Sequence, residues 1–276
     1  MKHTRSAAAP FGIWMTLFTI VPLGIVLWFA FTDKEGNFTL SNLSAILDYA
    51  GTFGLSIGLG AIATVLCLIL AYPLAYSISR SGERVQQTMV MIIMLPMWMN
   101  FLLRTYAWMT LLEDNGLINQ FFRLIGLLGP EDSIHMINTN GAVVLGMVYN
   151  FLPFMVLPLY SVMTKIDGRV IEAAQDLGSN GFQVLLRVIL PLSVPGILSG
   201  ITMVFVPAVS TFVITKLLGG SKVLLIGDVI ETMFIGQGAN YNVGAALSLV
   251  LMVLILLCMA MTSFAEKDDE EGGLVL

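Results

Sequence analysis

The segment that decides the fold is Gly51–Ser79, which reads GTFGLSIGLGAIATVLCLILAYPLAYSIS and contains no charged residue. A helix needs about 20 apolar residues to cross the roughly 30 Å hydrocarbon core of a bilayer, so this segment is long enough to span a membrane. Five further uncharged stretches of comparable length lie on either side of it: Phe11–Thr32, Val85–Leu103, Gly141–Thr164, Val188–Thr215 and Thr232–Ala265. The pattern indicates a membrane protein with several crossings.

The composition of the 276 residues agrees with this pattern. Hydrophobic residues make up 57% of the chain, charged residues make up 11%, and the mean hydropathy is +0.88, whereas a soluble domain is about 45–50% apolar and about 25% charged. These values exclude an ordinary soluble protein and an intrinsically disordered one. We therefore predict an all-α polytopic membrane protein, a single domain over residues 1–276, with six transmembrane helices over approximately 11–32, 51–79, 85–112, 141–164, 188–215 and 238–265.

The positions of lysine and arginine predict the orientation, because cytoplasmic loops of membrane proteins are enriched in these residues. With the N-terminus in the cytoplasm, the inner segments contain more of them than the outer segments; the inner set is Lys2, Arg5, Arg80, Arg84, Lys165, Arg169, Arg187 and Lys267. The outer connections carry an excess of acidic residues. The sequence thus predicts a multi-pass protein of the cytoplasmic membrane, with both termini in the cytoplasm and an acidic outer vestibule that favours a cationic substrate.

Motifs for catalysis and for metal binding are weak in this chain. The segment Gly54–Gly58 matches the G-x-S-x-G pattern of serine hydrolases, but it lies inside an uncharged helix and the chain has only two histidines to serve as a base. The pairs Gly54/Gly58 and Gly196/Gly200 instead predict close contacts between helices. No residue cluster has metal-ligand spacing, and no basic patch suits nucleic acid. We therefore expect no catalytic residue, no metal, no cofactor and no nucleic-acid partner.

The source of energy for transport is also constrained by the sequence. The chain lacks the G-x-x-x-x-G-K-[ST] motif that binds ATP phosphates, and none of its uncharged stretches contains the ionisable residue that is typical of secondary transporters. An active transporter with this sequence would take its energy from another subunit, and the inner segment 165–187 is the natural point of contact. The alternative, a secondary transporter, would require an intramembrane acid or discontinuous paired helices.

That inner segment contains the most specific motif in the chain. It reads EAAQDLG over residues 172–178 and continues to Val188, Leu190 and Pro191. This spacing resembles the EAA loop of ABC importer permeases, whose pattern is E-A-A, three residues, G, nine residues and I-x-L-P. In that family the loop forms a coupling helix that docks on the ATPase subunit. The resemblance implies a cytoplasmic coupling loop over residues 165–190, with ATPase contacts at Glu172, Ala173, Ala174, Asp176 and Gly178.

Other motifs resemble the polyamine branch of the same family. They are LPFMVLPLY over residues 152–160, LGG over 218–220, LLIG over 224–227 and PMW over 96–98. The resemblance implies a type I ABC importer permease fold and translocation of spermidine or putrescine. It also implies an ATPase dimer, a second permease subunit and an external polyamine-binding protein as partners in the lipid bilayer. Related branches that carry ferric iron, sulfate, opines or phosphonates share parts of these motifs and stay open as alternatives.

Candidate substrate contacts follow from the chemistry of a polyamine, which is flexible, polycationic and partly aliphatic. Carboxylates suit its ammonium groups, and aromatic rings suit both the cations and the methylene groups. In the third and fifth predicted helices, polar residues spaced by four would share one helix face and turn away from lipid, as Asn100 does with Arg104 and Thr211 with Thr215. The predicted substrate pathway comprises Trp98, Asn100, Arg104, Tyr106, Thr211, Thr215, Asp228 and Glu231.

Overall fold

The structure, a computed structural model, describes residues 10–236 and 238–272, with side chains described as far as residue 263. The predicted cytoplasmic termini, and with them Lys2, Arg5 and the side chain of Lys267, lie outside what is described. Within the described ranges the secondary structure is helical, apart from a single bridge between Thr32 and Phe38. The all-α prediction is therefore confirmed.

The helices are labelled in chain order. They are α1 (Pro10–Ala30), α2 (Ala50–Ser79), α3 (Glu83–Met94), α4 (Phe101–Leu112), α5 (Leu117–Leu124), α6 (Asn140–Met163), α7 (Gly168–Asp176), α8 (Gly181–Leu192), α9 (Val194–Ser210), α10 (Ile226–Ile235) and α11 (Tyr241–Gly272). In the described chain, the helical segments that contain α1, α2, α6 and α11 are each long and apolar enough to cross a membrane. The number rises to six when two bent pairs, Glu83–Trp98 with Phe101–Leu124 and α8 with α9, each count as one crossing.

Helix α6 lies at the centre of the bundle and packs against α2 and α9. Small side chains spaced by four form the packing face of α2, and each is fully buried: Ala63, Cys67, Ala71 and Ala75. The facing side chains of α6 are large and equally buried, namely Met147, Met155, Leu159 and Met163. Small residues let the helix backbones approach closely, and the long methionine and leucine side chains fill the space between them.

Of the two glycine pairs that the sequence predicts to lie at helix contacts, one makes close contacts within the chain and the other does not. A Cβ added at Gly196 would lie 3.1 Å from the Pro158 carbonyl oxygen on α6, and one at Gly200 would lie 2.5 Å from the Met155 sulfur, so this pair is confirmed as a close contact. A Cβ at Gly54 or Gly58 would meet no atom within 4 Å. The prediction for that pair is wrong for contacts inside the chain, because the packing face of α2 is the one that carries Ala63.

The third predicted helix, 85–112, is not continuous. Its first part ends in a tight turn at Leu95–Trp98, Met99 is extended, and α4 begins at Phe101 in a direction that differs by 89°. Pro96 lacks the N–H that would continue the helix, and Asn100 caps a new one. Pro96 and Asn100 thus mark a break that divides the predicted helix into two helices.

The fifth predicted helix, 188–215, is also divided. Helix α8 already begins at Gly181, the chain bends by 68° before Val194, and α9 ends at Ser210. Thr211 is extended, with φ −66° and ψ 144°, and Thr215 belongs to a separate helical turn, Thr215–Gly219. The prediction that Thr211 and Thr215 share one helix face is therefore wrong, since the helix does not pass through both.

Candidate coupling surface and substrate pathway

Helix α7 is a short, exposed helix between α6 and α8. Asp167 caps its N-terminus: Asp167 Oδ1 accepts the Arg169 backbone N–H at 3.0 Å, and Asp167 Oδ2 accepts Arg169 Nη2 at 2.6 Å. The hydrogen bonds from Arg169 hold the pKa of the Asp167 carboxyl below its usual value. Apart from the half-buried Ala174, the predicted coupling residues on this helix are exposed: Glu172, Ala173 and Asp176.

The end of α7 is shaped by Gly178. Its φ of +85° lies in the left-handed region, which costs other residues about 1–2 kcal/mol. The Gly178 and Ser179 N–H groups donate to the carbonyls of Gln175 and Ala174, at 2.8 and 3.1 Å, in the pattern of a Schellman cap. The turn leaves Leu177 89% exposed and Phe182 69% exposed. Two carboxylates, Glu172 and Asp176, and two large apolar side chains, Leu177 and Phe182, are thus exposed in and just after α7.

Arg80, which follows α2, holds the segment that leads into α7. Its guanidinium donates to the carbonyl oxygens of Ile166 and Met163, at 3.2 and 3.4 Å, and lies 5.8 Å from the centre of the Tyr76 ring. A cation at a helix C-terminus satisfies free carbonyls and complements the helix dipole. From the sequence, Arg80 indicates only the orientation of the chain. The residues near Arg80 give no sign that it bonds to Ile166, which lies 86 residues away.

The break before α4 positions two of the predicted pathway residues. Asn100 Oδ1 accepts the backbone N–H groups of Leu102 and Leu103, at 2.8 and 3.4 Å, so its side chain is engaged in the helix cap. Trp98 stands immediately before the break and is 75% exposed, and Tyr106 on α4 is 47% exposed. The two aromatic rings are therefore available to a ligand or a partner, whereas Asn100 supports the bend.

Arg104 is buried, with 8% of its surface exposed. Its Nη1 donates to the Pro96 carbonyl oxygen at 2.9 Å, and its guanidinium lies 5.8 Å from the ring centres of both Phe101 and Tyr149. Its Nε is buried and has no hydrogen-bond partner among the described residues. The carbonyl that pairs with Arg104 belongs to the other side of the break, so the side chain stabilises the bend itself.

The C-terminal end of α9 is where the backbone leaves the helix, at Thr211. Gly227, at the start of α10, packs against this end: a Cβ at Gly227 would lie 2.6 Å from the carbonyl oxygens of both Ser210 and Thr211. Ser56 Oγ on α2 accepts the Ile226 N–H at 2.8 Å. These contacts anchor the N-terminus of α10 on α9 and α2, and they bring four predicted pathway residues into one region: Thr211, Thr215, Asp228 and Glu231.

Asp228 is the most deeply buried acid of this region, with 1% of its surface exposed. Its Oδ2 accepts the Leu225 N–H at 2.9 Å and caps α10. Its Oδ1 and the Oγ1 of the fully buried Thr215 complete no hydrogen bond of normal geometry with the described residues. Burial raises the pKa of Asp228 to about 6, although the Leu225 N–H bond and the charge of Lys216 both favour the ionised form.

Glu231 forms an ion pair that sequence reasoning missed. Its Oε2 lies 2.5 Å from Lys216 Nζ, and the Lys216 and Glu231 side chains are 45% and 25% exposed. The same ammonium lies 6.0 Å from the centre of the Phe212 ring. The only sequence signal for this pair is that both residues fall in the outer connection between the fifth and sixth predicted helices.

A groove of about 400 Å³ opens beside this ion pair, between α9, α10 and α11. The lining is mostly apolar, and its polar side chains are Ser210, Glu231 and Ser248; the other lining residues are Phe212, Gly227, Ile230, Leu251, Met252, Ile255 and Leu256. Helix α4 packs against the turn Thr215–Gly219. The described ends of the third and fifth crossings are therefore neighbours, while the surface on α7 is a separate site.

Comparison with known proteins defines the class. Residues 68–266 match the family described as binding-protein-dependent transport system inner membrane component, and the chain belongs to this family. It is a membrane component of a transport system, as predicted, rather than an enzyme.

Individual relatives are informative as well. The chain is 38% identical over 274 residues to the spermidine/putrescine transport system permease protein PotB of Haemophilus influenzae, with 96% of this chain and 95% of that protein aligned. A crystal structure of a bacterial ABC transporter that imports alginate contains a chain with a TM-score of 0.76 at 20% identity, covering 96% of this chain and 95% of that one. A second alginate transporter structure, in complex with a periplasmic protein that binds an alginate pentasaccharide, gives a TM-score of 0.73 at 18% identity, over 94% and 92% of the two chains. The predicted type I permease fold is confirmed.

Proposed function

We propose that this chain is the permease subunit of an ATP-driven importer for the polyamines spermidine and putrescine. The observation that carries the proposal is the 38% identity to a spermidine/putrescine permease over 96% of the chain. The EAA spacing at Glu172–Gly178 and its placement on an exposed helix support the transport mechanism. The chain then provides a path through the membrane, and a separate ATPase dimer supplies the energy.

The charge of the outer region supports a cationic substrate. Asp228 and Glu231 place two carboxylates close together, and Phe212 adds an aromatic ring that suits an ammonium group and its methylene chain. Lys216 offsets only one of these two carboxylates, so the region disfavours anions such as sulfate and phosphonates. Transport of these anions, of ferric iron or of an opine would contradict the proposal that polyamines are the substrates. It would not change the family to which the chain belongs.

Three protein partners complete the proposed system. The ATPase dimer binds at α7, where Glu172, Ala173, Ala174, Asp176 and Gly178 meet a cleft on its surface. A second permease subunit, of the PotC type, packs against this chain so that the substrate passes between the two. An external polyamine-binding protein delivers the substrate, which is consistent with the name of the family and with the periplasmic protein bound in the related alginate transporter.

Uptake by whole cells tests the proposal. Cells that lack this chain should lose uptake of labelled spermidine and putrescine, and the restored gene should recover it. Excess unlabelled polyamine should compete, whereas sulfate, phosphonate and ferric iron should not. Unchanged polyamine uptake in the deletion strain, together with lost uptake of one of the competitors, would assign the chain to another branch.

The proposed orientation places both termini and α7 in the cytoplasm. It predicts that a cysteine introduced at Gly129, in the outer connection after α5, reacts with an impermeant thiol reagent in intact cells. A cysteine at Gly178 should react only after the membrane is permeabilised. Because the native Cys67 is buried and Cys258 is half-buried, both should give a low background. Labelling in the opposite sense would overturn the orientation and the coupling role of α7.

Trp98 is proposed to line the outer part of the pathway. Because its ring is 75% exposed and makes little contribution to packing within the chain, Trp98→Ala should preserve assembly with the ATPase. Loss of an exposed cation–π contact of about 0.5–1 kcal/mol should lower spermidine uptake about two- to fivefold. The comparison is Trp14→Ala, which removes a similarly exposed ring, 61% exposed, from α1. Equal spermidine uptake by the two variants would show that Trp98 does not line the pathway.

A further inference from the structure

The outer region contains a cationic side chain that occupies an acidic site. Lys216 Nζ lies 2.5 Å from Glu231 Oε2 and 6.0 Å from the centre of the Phe212 ring. A lysine side chain is a butyl chain that ends in a primary ammonium group. This is the same chemical group as the aminobutyl end of putrescine and of spermidine. The chain therefore shows directly how an alkylammonium group fits between a carboxylate and an aromatic face at this position.

The surroundings of the ion pair are suited to an exchange of cations. Glu231 is 25% exposed and borders the groove between α9, α10 and α11, so a ligand in the groove reaches its carboxylate. Asp228 lies near enough to Lys216 for the lysine charge to favour its ionised form, and its buried Oδ1 lies by the Thr215 hydroxyl, with which it completes no hydrogen bond of normal geometry. A second carboxylate is thus available to a lysine ammonium that leaves Glu231.

We infer that Glu231 and Phe212 form a subsite for the terminal ammonium of the substrate, and that Lys216 fills this subsite when the substrate is absent. The inference rests on the proposed polyamine function. The incoming ammonium replaces the Lys216 ammonium at Glu231, and Lys216 turns to Asp228. In the substrate-free state Lys216 pairs with Glu231 alone; in the bound state the substrate ammonium pairs with Glu231 and Lys216 pairs with Asp228, so each carboxylate then has one cation.

The exchange keeps the affinity of the subsite low. Lys216 is tethered to the same chain, so it competes with the substrate at an effective concentration in the millimolar range. A permease that receives its substrate from a binding protein needs such a weak site, because a polycation held by free carboxylates would be released slowly. Lys216 is on this account a specificity and release residue, and its removal should strengthen binding.

The test uses the complete transport complex in lipid nanodiscs, without the external binding protein. Equilibrium binding of labelled spermidine is measured for the parent and for four variants. Lys216→Met and Lys216→Gln, which vacate the subsite, should bind spermidine about tenfold more tightly. Lys216→Arg, which keeps a cation there, should stay within about twofold of the parent. Lys216→Met combined with Glu231→Gln should lose the gain, and n-butylammonium should compete for the site in Lys216→Met.

The outcomes separate this inference from the proposed function. Unchanged or weaker spermidine binding in both Lys216→Met and Lys216→Gln, in complexes that assemble normally, would overturn the inference and indicate a structural ion pair. A gain that persists in the double variant would also overturn it, since the freed carboxylate would not be Glu231. Failure of the proposed function shows in a different measurement, the loss of polyamine uptake when this chain is deleted from cells.

Discussion

The substitution Gly178→Trp is expected to lower ATP-driven uptake at least about tenfold, while the protein still inserts into the membrane. A loss of about 1.4 kcal/mol in the free energy of ATPase binding weakens that binding about tenfold. Gly178 has φ +85°, so any side chain there strains the cap of α7. The indole ring would also project beside the exposed Leu177, on the surface proposed to meet the ATPase. The measurements are uptake of labelled spermidine and the amount of ATPase that copurifies with the permease.

Gly126→Trp is the matched control for this prediction. Gly126 also has a left-handed backbone, with φ +77°, and a Cβ at either glycine would meet no atom within 4 Å. The two substitutions therefore impose similar local strain, but Gly126 lies after α5, in the predicted outer connection. The Gly126 variant should retain the ATPase. Equal loss of ATPase from both variants, or normal uptake by the Gly178 variant, would refute the docking role.

The substitution Arg104→Met is expected to reduce uptake about tenfold or more. It removes the hydrogen bond from Nη1 to the Pro96 carbonyl across the 89° break, and a hydrogen bond from a charged donor contributes about 1.5–3 kcal/mol. Methionine retains much of the apolar volume against Phe101 and Tyr149, so the loss is mainly polar. With the bend weakened, α4 would no longer be held against the turn Thr215–Gly219. Uptake and proteolytic accessibility of the region around Met99 are the measurements.

Arg84→Met serves as the comparison for Arg104. Arg84 is exposed near the start of α3, in the same bent crossing, so the substitution removes the same charge without disturbing the break. Uptake and proteolysis should both match the parent protein. Normal uptake by the Arg104 variant, with unchanged proteolysis, would show that the bend is maintained by Pro96 and Asn100 alone.

The proposed coupling surface is the part of the candidate site whose local structure follows most directly from the sequence. Its signal is local: seven consecutive residues carry the motif, and a glycine at its end is what a left-handed helix cap requires. The structure adds the exposure of Leu177 and the two carbonyl bonds of Arg80. The Arg80 contacts cannot be predicted from the motif, because they join the end of α2 to the end of α6.

The substrate pathway was predicted less well. Its residues are predicted from their type and from spacings of four along a helix, and in the structure both helices are divided. Asn100 caps α4, and Arg104 donates a hydrogen bond to the Pro96 carbonyl across the break. Thr211 is extended, so it does not share a helix face with Thr215. Glu231, predicted as a contact for an ammonium group of the substrate, is paired with Lys216. A helix wheel predicts shared faces correctly only where the helix continues.

The sequence by itself determined that this protein is helical, crosses a membrane several times and carries a motif with the spacing of an EAA loop. Each of these properties depends on quantities that run along the chain: the length of an uncharged stretch, the spacing of a motif, and the cost of burying a charge in hydrocarbon. Only the tertiary structure decided the direction of the chain at the two bends and the pairs Arg104–Pro96, Arg80–Ile166 and Lys216–Glu231. A pair forms when packing brings its members within about 3 Å, and neither partner's neighbours in the sequence encode that distance.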